Sequence, residues 1–228
     1  MPSFKENQTI ADFQKFNYEV YRVPDDRLYS LSDLLAHQQR FAMRALKGIR
    51  KDDKEKLKKN LLISFSFLAA IANRLNINIE DEVWKRFPML CSYCGKIPCQ
   101  CKKIKPAKRK KVSINNALRP KTLAEFQEMF SKIYPQEKRT LAEEGVHLAE
   151  EVGEVNEAVQ HFMGKHVLKQ FNEVKLEIAD LVSCIFGVAN SAKIDFAKEL
   201  AKIFILNCHV CHKAPCVCSF SSVAGIKT

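Results

Sequence analysis

Residues 91–101 read CSYCGKIPCQC, and residues 208–218 read CHVCHKAPCVC. Both are C-x2-C-x4-C-x-C, displaced by 117 positions, with Lys96 and Pro98 matched by Lys213 and Pro215. The match continues upstream. Ser66, Ala72, Asn73, Ile77, Glu82, Lys85 and Phe87 return as Ser183, Ala189, Asn190, Ile194, Glu199, Lys202 and Phe204. Over positions 66–101 this makes 13 identities in 36, where unrelated chains would share roughly two. Nearer each start, TIADFQ at 9–14 aligns with TLAEFQ at 122–127, now displaced by 113. The second copy therefore carries four extra residues, expected in a loop around 164–170. Fixed-offset similarity constrains the fold. Two copies predict two similar small domains, 1–101 and 112–228, joined by 102–111 and packed as a dimer within one chain.

Each copy reads as helical. In the second, Leu141, Leu148, Val152, Val155 and Val159 recur at helical spacing, with Gly164 a stop signal. Phe171, Val174, Ile178, Leu181, Val182, Ile185 and Val188 form a second apolar stripe. A third helix covers roughly 196–204 behind Asp195 as N-cap, and an early one covers 122–133, ended by Pro135. The first copy offers helices near 9–20, 30–49, 54–75 and 79–87. No segment alternates with period two, so the expected fold is an all-α bundle. Seven Gly and eight Pro in 228 residues suit that class.

Four thiols packed into 11 residues need a partner. No apolar run reaches the roughly 18 residues that span a bilayer, and residues 1–20 are polar and mixed in charge, unlike a secretory signal. The chain is expected to be soluble and cytoplasmic, with no membrane partner, which disfavours structural disulfides. Cys91, Cys94, Cys99 and Cys101, and again Cys208, Cys211, Cys216 and Cys218, read first as four-cysteine zinc knuckles. A redox role and an iron–sulfur cluster are the alternatives. Cys184, whose counterpart is Phe67, reads as a core residue.

The second copy carries EEVGE at 150–154 and, 22 residues on, EIAD at 177–180. On helices, Glu151 and Glu154 share a face, as do Glu177 and Asp180. Either pair alone is an ordinary solvated acidic face. Together, among apolar neighbours on two antiparallel helices, they aim four carboxylates into one space, which is costly unless cations bind there. Oxygen ligands suit Mg²⁺ first and Mn²⁺ second.

This pattern, E-E-x-x-E followed by E-x-x-D, resembles the all-α nucleoside triphosphate pyrophosphohydrolases, the MazG-like and dCTPase-like group. The run EIADLVSCIFGVANSAKIDF is similar to that family's second acidic helix and the segment after it. The resemblance covers about 120–206 and, weakly, the first copy. It implies a helical bundle, usually dimeric or tetrameric, that cleaves a nucleotide between the α- and β-phosphates. The products are a nucleoside monophosphate and pyrophosphate. It implies Glu151, Glu154, Glu177 and Asp180 as magnesium ligands and Glu150 as the group that positions water. Lys202 and Asn207 are the nearest matches to the Lys and Asn that many members use on phosphates. The reaction itself needs charge neutralisation and a positioned water, which carboxylates and Mg²⁺ supply. No Walker-A or GxGxxG run competes for a nucleotide.

The first copy lacks these acids. Glu150, Glu151, Glu154, Glu177 and Asp180 align with His37, Gln38, Phe41, Asn60 and Ile63. It is expected to be a structural, substrate-contacting partner. The net charge of +11 lies in residues 1–101 (+5) and 102–111 (+7), while 112–228 carries −1. The joint KKIKPAKRKK reads as a solvated tether that adds nucleic acid to the candidate partners. The basic run from Arg44 to Lys59 reads as a solvated face or one turned to phosphates. The expected function is thus Mg²⁺-dependent nucleotide pyrophosphohydrolysis by the second copy. The alternative is a zinc-stabilised basic module that binds nucleic acid or a protein complex.

Overall fold

A computed structural model describes residues 2–103, 106–219, 221, 223 and 225. Among them lie eight α-helices and no strand: α1 (Ile10–Arg27), α2 (Leu31–Arg50), α3 (Lys54–Arg74), α4 (Ile79–Arg86), α5 (Leu123–Ile133), α6 (Leu141–Lys165), α7 (Leu168–Ser191) and α8 (Phe196–Ile203). Residues 116–118 and 136–138 form single 3-10 turns. Capping boxes start α1, α2 and α6: Thr9 with Asp12, Ser30 with Asp33, and Thr140 with Glu143. None of these helices alone is long and apolar enough to cross a membrane.

The two halves use the same internal fastenings. In the first, the Gln14 amide donates to Asn73 Oδ1 and the Ile77 carbonyl, and accepts from Ile79 N. In the second, Gln127 donates to Asn190 Oδ1 and the Ile194 carbonyl, and accepts from Phe196 N. These are the same bonds at the offsets 113 and 117. Within each half the long hairpin packs tightly, α2 on α3 and α6 on α7. Between halves, α2 meets α6 and α4 meets α7.

Each knuckle crosses to the other half. Cys99 N donates to the carbonyl of Ile133 at 2.8 Å, and Cys216 N donates to that of Val20 at 2.7 Å. Both acceptors are carbonyls left over by helix chemistry. Ile133 is the last residue of α5, and Pro24, lacking an N–H, cannot bond back to Val20. Phe87 packs edge-on to Phe130, with ring centroids 5.1 Å apart, and Phe204 lies 5.6 Å from Phe13. One continuous core results, with Phe65 of α3 against Phe186 and Phe196 of the second half.

Four expectations need correction. Helix α1 runs to Arg27 rather than ending near 20, because Pro24 costs one hydrogen bond whose acceptor is re-used by Cys216. Gly164 does not stop α6; the helix ends at Lys165, where His166 adopts φ 51°. The four extra residues lengthen α6 and α7 instead of forming a loop. The joint is no free tether where it is described: Lys110 N bonds the Tyr93 carbonyl at 3.1 Å. It crosses Gly95, where φ is +62° and a Cβ would meet Val112 Cγ1 at 3.1 Å. Residues 104 and 105 of the joint lie outside the described residues.

Candidate metal centres and active site

The cysteine quartets close up as their spacing suggests. All four sulfurs of each group lie within 4.8 Å of one another. Cys91–Cys101 and Cys94–Cys99 are separated by 3.8 and 4.0 Å, Cys208–Cys218 and Cys211–Cys216 by 3.9 and 3.8 Å. A tetrahedron with Zn–S bonds of about 2.3 Å has edges of about 3.8 Å, whereas a disulfide would need about 2.05 Å. Each quartet could hold one zinc ion. The hydrogen bond between Cys208 and Cys216 pushes the Cys208 thiol down and the Cys216 thiol up. Pro98 and Pro215 both follow cis peptide bonds.

On the second half, α6 and α7 bring Glu151, Glu177 and Asp180 together, with one oxygen of each within 4.8 Å. Glu154 is exposed and lies beside Glu177. Burial, then repulsion by Asp180 and Glu154, pushes Glu151 up to about 8. Burial and Asp180 likewise push Glu177 up to about 7. One Glu151 oxygen, Oε2, is buried with no hydrogen-bond partner. An orphaned carboxylate oxygen among carboxylates kept from ionising is a cluster short of positive charge. These residues fit a hard divalent cation, with Glu151, Glu177 and Asp180 as ligands and Glu154 beside them.

The cluster borders a cavity of about 150 Å³ lined by Phe87, Tyr93, Arg109, Tyr134, Arg139, Glu144, His147 and Ser183 among others. Two arginines face Asp180, and a third borders the cavity. Arg86, the last residue of α4, grips Asp180 with two hydrogen bonds, Nε to Oδ1 at 2.9 Å and Nη2 to Oδ2. Arg109, from the joint, places Nη2 3.8 Å from Asp180 Oδ2 and stacks over Tyr93. Arg139 lies over Tyr134 and 3.4 Å from the buried Glu144. Residue spacing does not reveal these groups, since Arg86 and Arg109 come from outside the acidic half. The nearest signal is a mismatch: Arg86 stands where the second copy has Ile203.

The remaining candidates fall elsewhere. Glu150 is exposed and bonded to His147 Nδ1 at 3.1 Å; His147, not Glu150, lines the cavity. Lys202 and Asn207 are not brought to it. Lys202 pairs with Glu199 on α8 at 2.6 Å, and Asn207 is buried at a left-handed φ of 72° before Cys208. Cys184 is buried, as a core residue should be, and also touches the cavity.

The equivalent place in the first half keeps a smaller cavity, about 30 Å³, bordered by Ile63, Ser66, Phe67 and Ala70 where the second half has Asp180, Ser183, Cys184 and Gly187. Phe41 and Phe67 stack at 5.6 Å, His37 leans on Phe67, and Ile63 is fully buried. Gln38 donates to Ser64 Oγ, and Asn60 to the Lys56 carbonyl. Neutral amides and rings occupy the positions of the acids, so no cation is needed there.

No protein-family model, curated protein or solved structure matches this chain.

Proposed function

We propose that the chain is a Mg²⁺-dependent nucleoside triphosphate pyrophosphohydrolase of MazG-like type. Its two halves form a pseudo-dimer in which only the second is catalytic. The carrying observation is the convergence of Glu151, Glu177 and Asp180 around an orphaned, buried Glu151 oxygen, beside a cavity edged by arginines. Magnesium held there would neutralise phosphate charge and acidify a bound water. The chain's own groups supply the rest. Arg109 and Arg139 offer planar forks for phosphate oxygens. The Tyr93 and Tyr134 rings hold the Arg109 and Arg139 guanidiniums at the cavity's edge. Glu151, raised to about 8 by burial and its acidic neighbours, would have to release its proton as a cation took its oxygen. Zinc in the first quartet would fix the knuckle that carries Tyr93 and the joint beyond it.

Pyrophosphate release from a panel of ribo- and deoxyribonucleoside triphosphates with Mg²⁺ tests the reading. Asp180→Asn and Glu154→Gln should lower turnover at least about 100-fold with unchanged helical content, as loss of charge at a metal cage does. Turnover at the wild-type level in both would refute it.

One observation favours a second reading, a binding module. Where α2 meets α3, the exposed Lys47, Arg50, Lys51, Lys54 and Lys59 outnumber the exposed Asp52, Asp53 and Glu55. Salt-sensitive retention of random DNA or RNA, together with no hydrolysis of any nucleotide, would select it.

A further inference from the structure

Arg86 belongs to the first half, yet its guanidinium sits on an acid of the second. The two side chains are 11% and 10% exposed, so the pair is sheltered from water. The fork covers both carboxylate oxygens of Asp180. A cation bound jointly by Glu151, Glu177 and Asp180 would need an oxygen that Arg86 already holds. Like charges at this distance repel strongly in a partly dry site, so the guanidinium and a dication are rivals for Asp180. The cavity beside the pair offers the displaced arginine a destination. Arg109 and Arg139 already border it, and three guanidinium forks about one small space suit a phosphate chain. The device runs one way. The counterpart of Arg86 is Ile203, so the second half presents no such cation to the corresponding place in the first.

We propose that Arg86 is an exchangeable counter-ion. It holds Asp180 while no divalent cation is bound, and passes to the phosphates of the nucleotide when the cation takes Asp180. This rests on the pyrophosphohydrolase reading. It gives the half without acids a working part: Arg86 is the group that couples metal entry to substrate capture.

The test is Mn²⁺ binding to the full-length, zinc-loaded protein, followed by electron paramagnetic resonance at pH 8 without nucleotide. Arg86→Ala should bind Mn²⁺ about tenfold more tightly than wild type, the size of one charge-assisted contact removed from competition. Inorganic pyrophosphate should then bind the Mn²⁺-loaded variant about tenfold more weakly than the Mn²⁺-loaded wild type. If Arg86→Ala fails to fold, Arg86→Lys replaces it and should also tighten Mn²⁺, because one ammonium cannot cover both oxygens. Equal or weaker Mn²⁺ affinity in the folded variant overturns the exchange, and unchanged pyrophosphate affinity overturns the transfer. Mn²⁺ binding that survives Asp180→Asn intact instead sinks the acidic site itself, and the exchange with it.

Discussion

Glu151 carries the electrostatic cost of the acidic cluster. Its carboxyl ionises in an unfolded chain near 4.5 but is pushed up to about 8 by burial and by its acidic neighbours. Between those values the folded protein binds the extra proton, so stability falls as pH rises. The contribution is fully present below about 4.5 and lost as the pH passes 8. Glu177 and Asp25, both raised to about 7, act in the same direction. In magnesium-free buffer the melting temperature should therefore drop from pH 5 to pH 8. Glu151→Gln should flatten part of that slope and be more stable than wild type at pH 8 by about 1 kcal/mol, after allowance for solvent screening. Magnesium should stabilise the wild type more at pH 8 than at pH 5; a pH-independent gain would count against the acidic ligands. The three acids are legible in sequence because helical spacing alone puts Glu177 and Asp180 on one face. Arg86 and Arg109 are not, because nothing periodic links a residue at the end of α4 or in a basic joint to a site about 70 to 95 residues away.

At the scale of elements, two features decide how the hairpins close. Gly48, near the end of α2, lets the start of α3 come close: a Cβ there would stand 2.6 Å from the backbone nitrogen of Leu57. Backbone cannot step aside as a side chain can, so Gly48→Ala should destabilise the protein by about 1–3 kcal/mol, read as a shift of the denaturant midpoint. A midpoint within error of wild type would mean that the α2–α3 turn yields. The knuckles are the second feature. Their metal-ligand spacing is plain in sequence, and so is their position after the last helix of each copy. What they dock on is not plain, because it depends on two carbonyls, Val20 and Ile133, that only a formed helix leaves without partners. The run of α1 past residue 20 is hidden for the same reason: the cost of Pro24 is visible locally, and its compensation by Cys216 lies nearly 200 residues away.

Across the whole molecule these contacts make each half the other's cover. The first knuckle rests on α5 through Cys99, and Tyr134 Oη donates to Cys91 Sγ at 3.6 Å. Tyr134 in turn lines the acidic cavity. On the proposed reading, damage to the first half's cysteine quartet should therefore be felt at the acidic cluster of the second. Purified protein should contain about two zinc ions per chain by elemental analysis. Cys91→Ser should lose one of them and lower turnover at the acids, although none of them is altered. The isolated fragment 112–228 would lack the first knuckle, Phe87 beneath Phe130, and Arg86 on Asp180. It would also expose the face of α6 that meets α2. A bundle of about 100 residues has little core to spare. The fragment should thus aggregate or pair with itself through that face, as light scattering during size-exclusion chromatography would reveal. A stable monomer of 112–228 with the turnover of the full chain would contradict the shared core, and would leave the first half as a separate binding module.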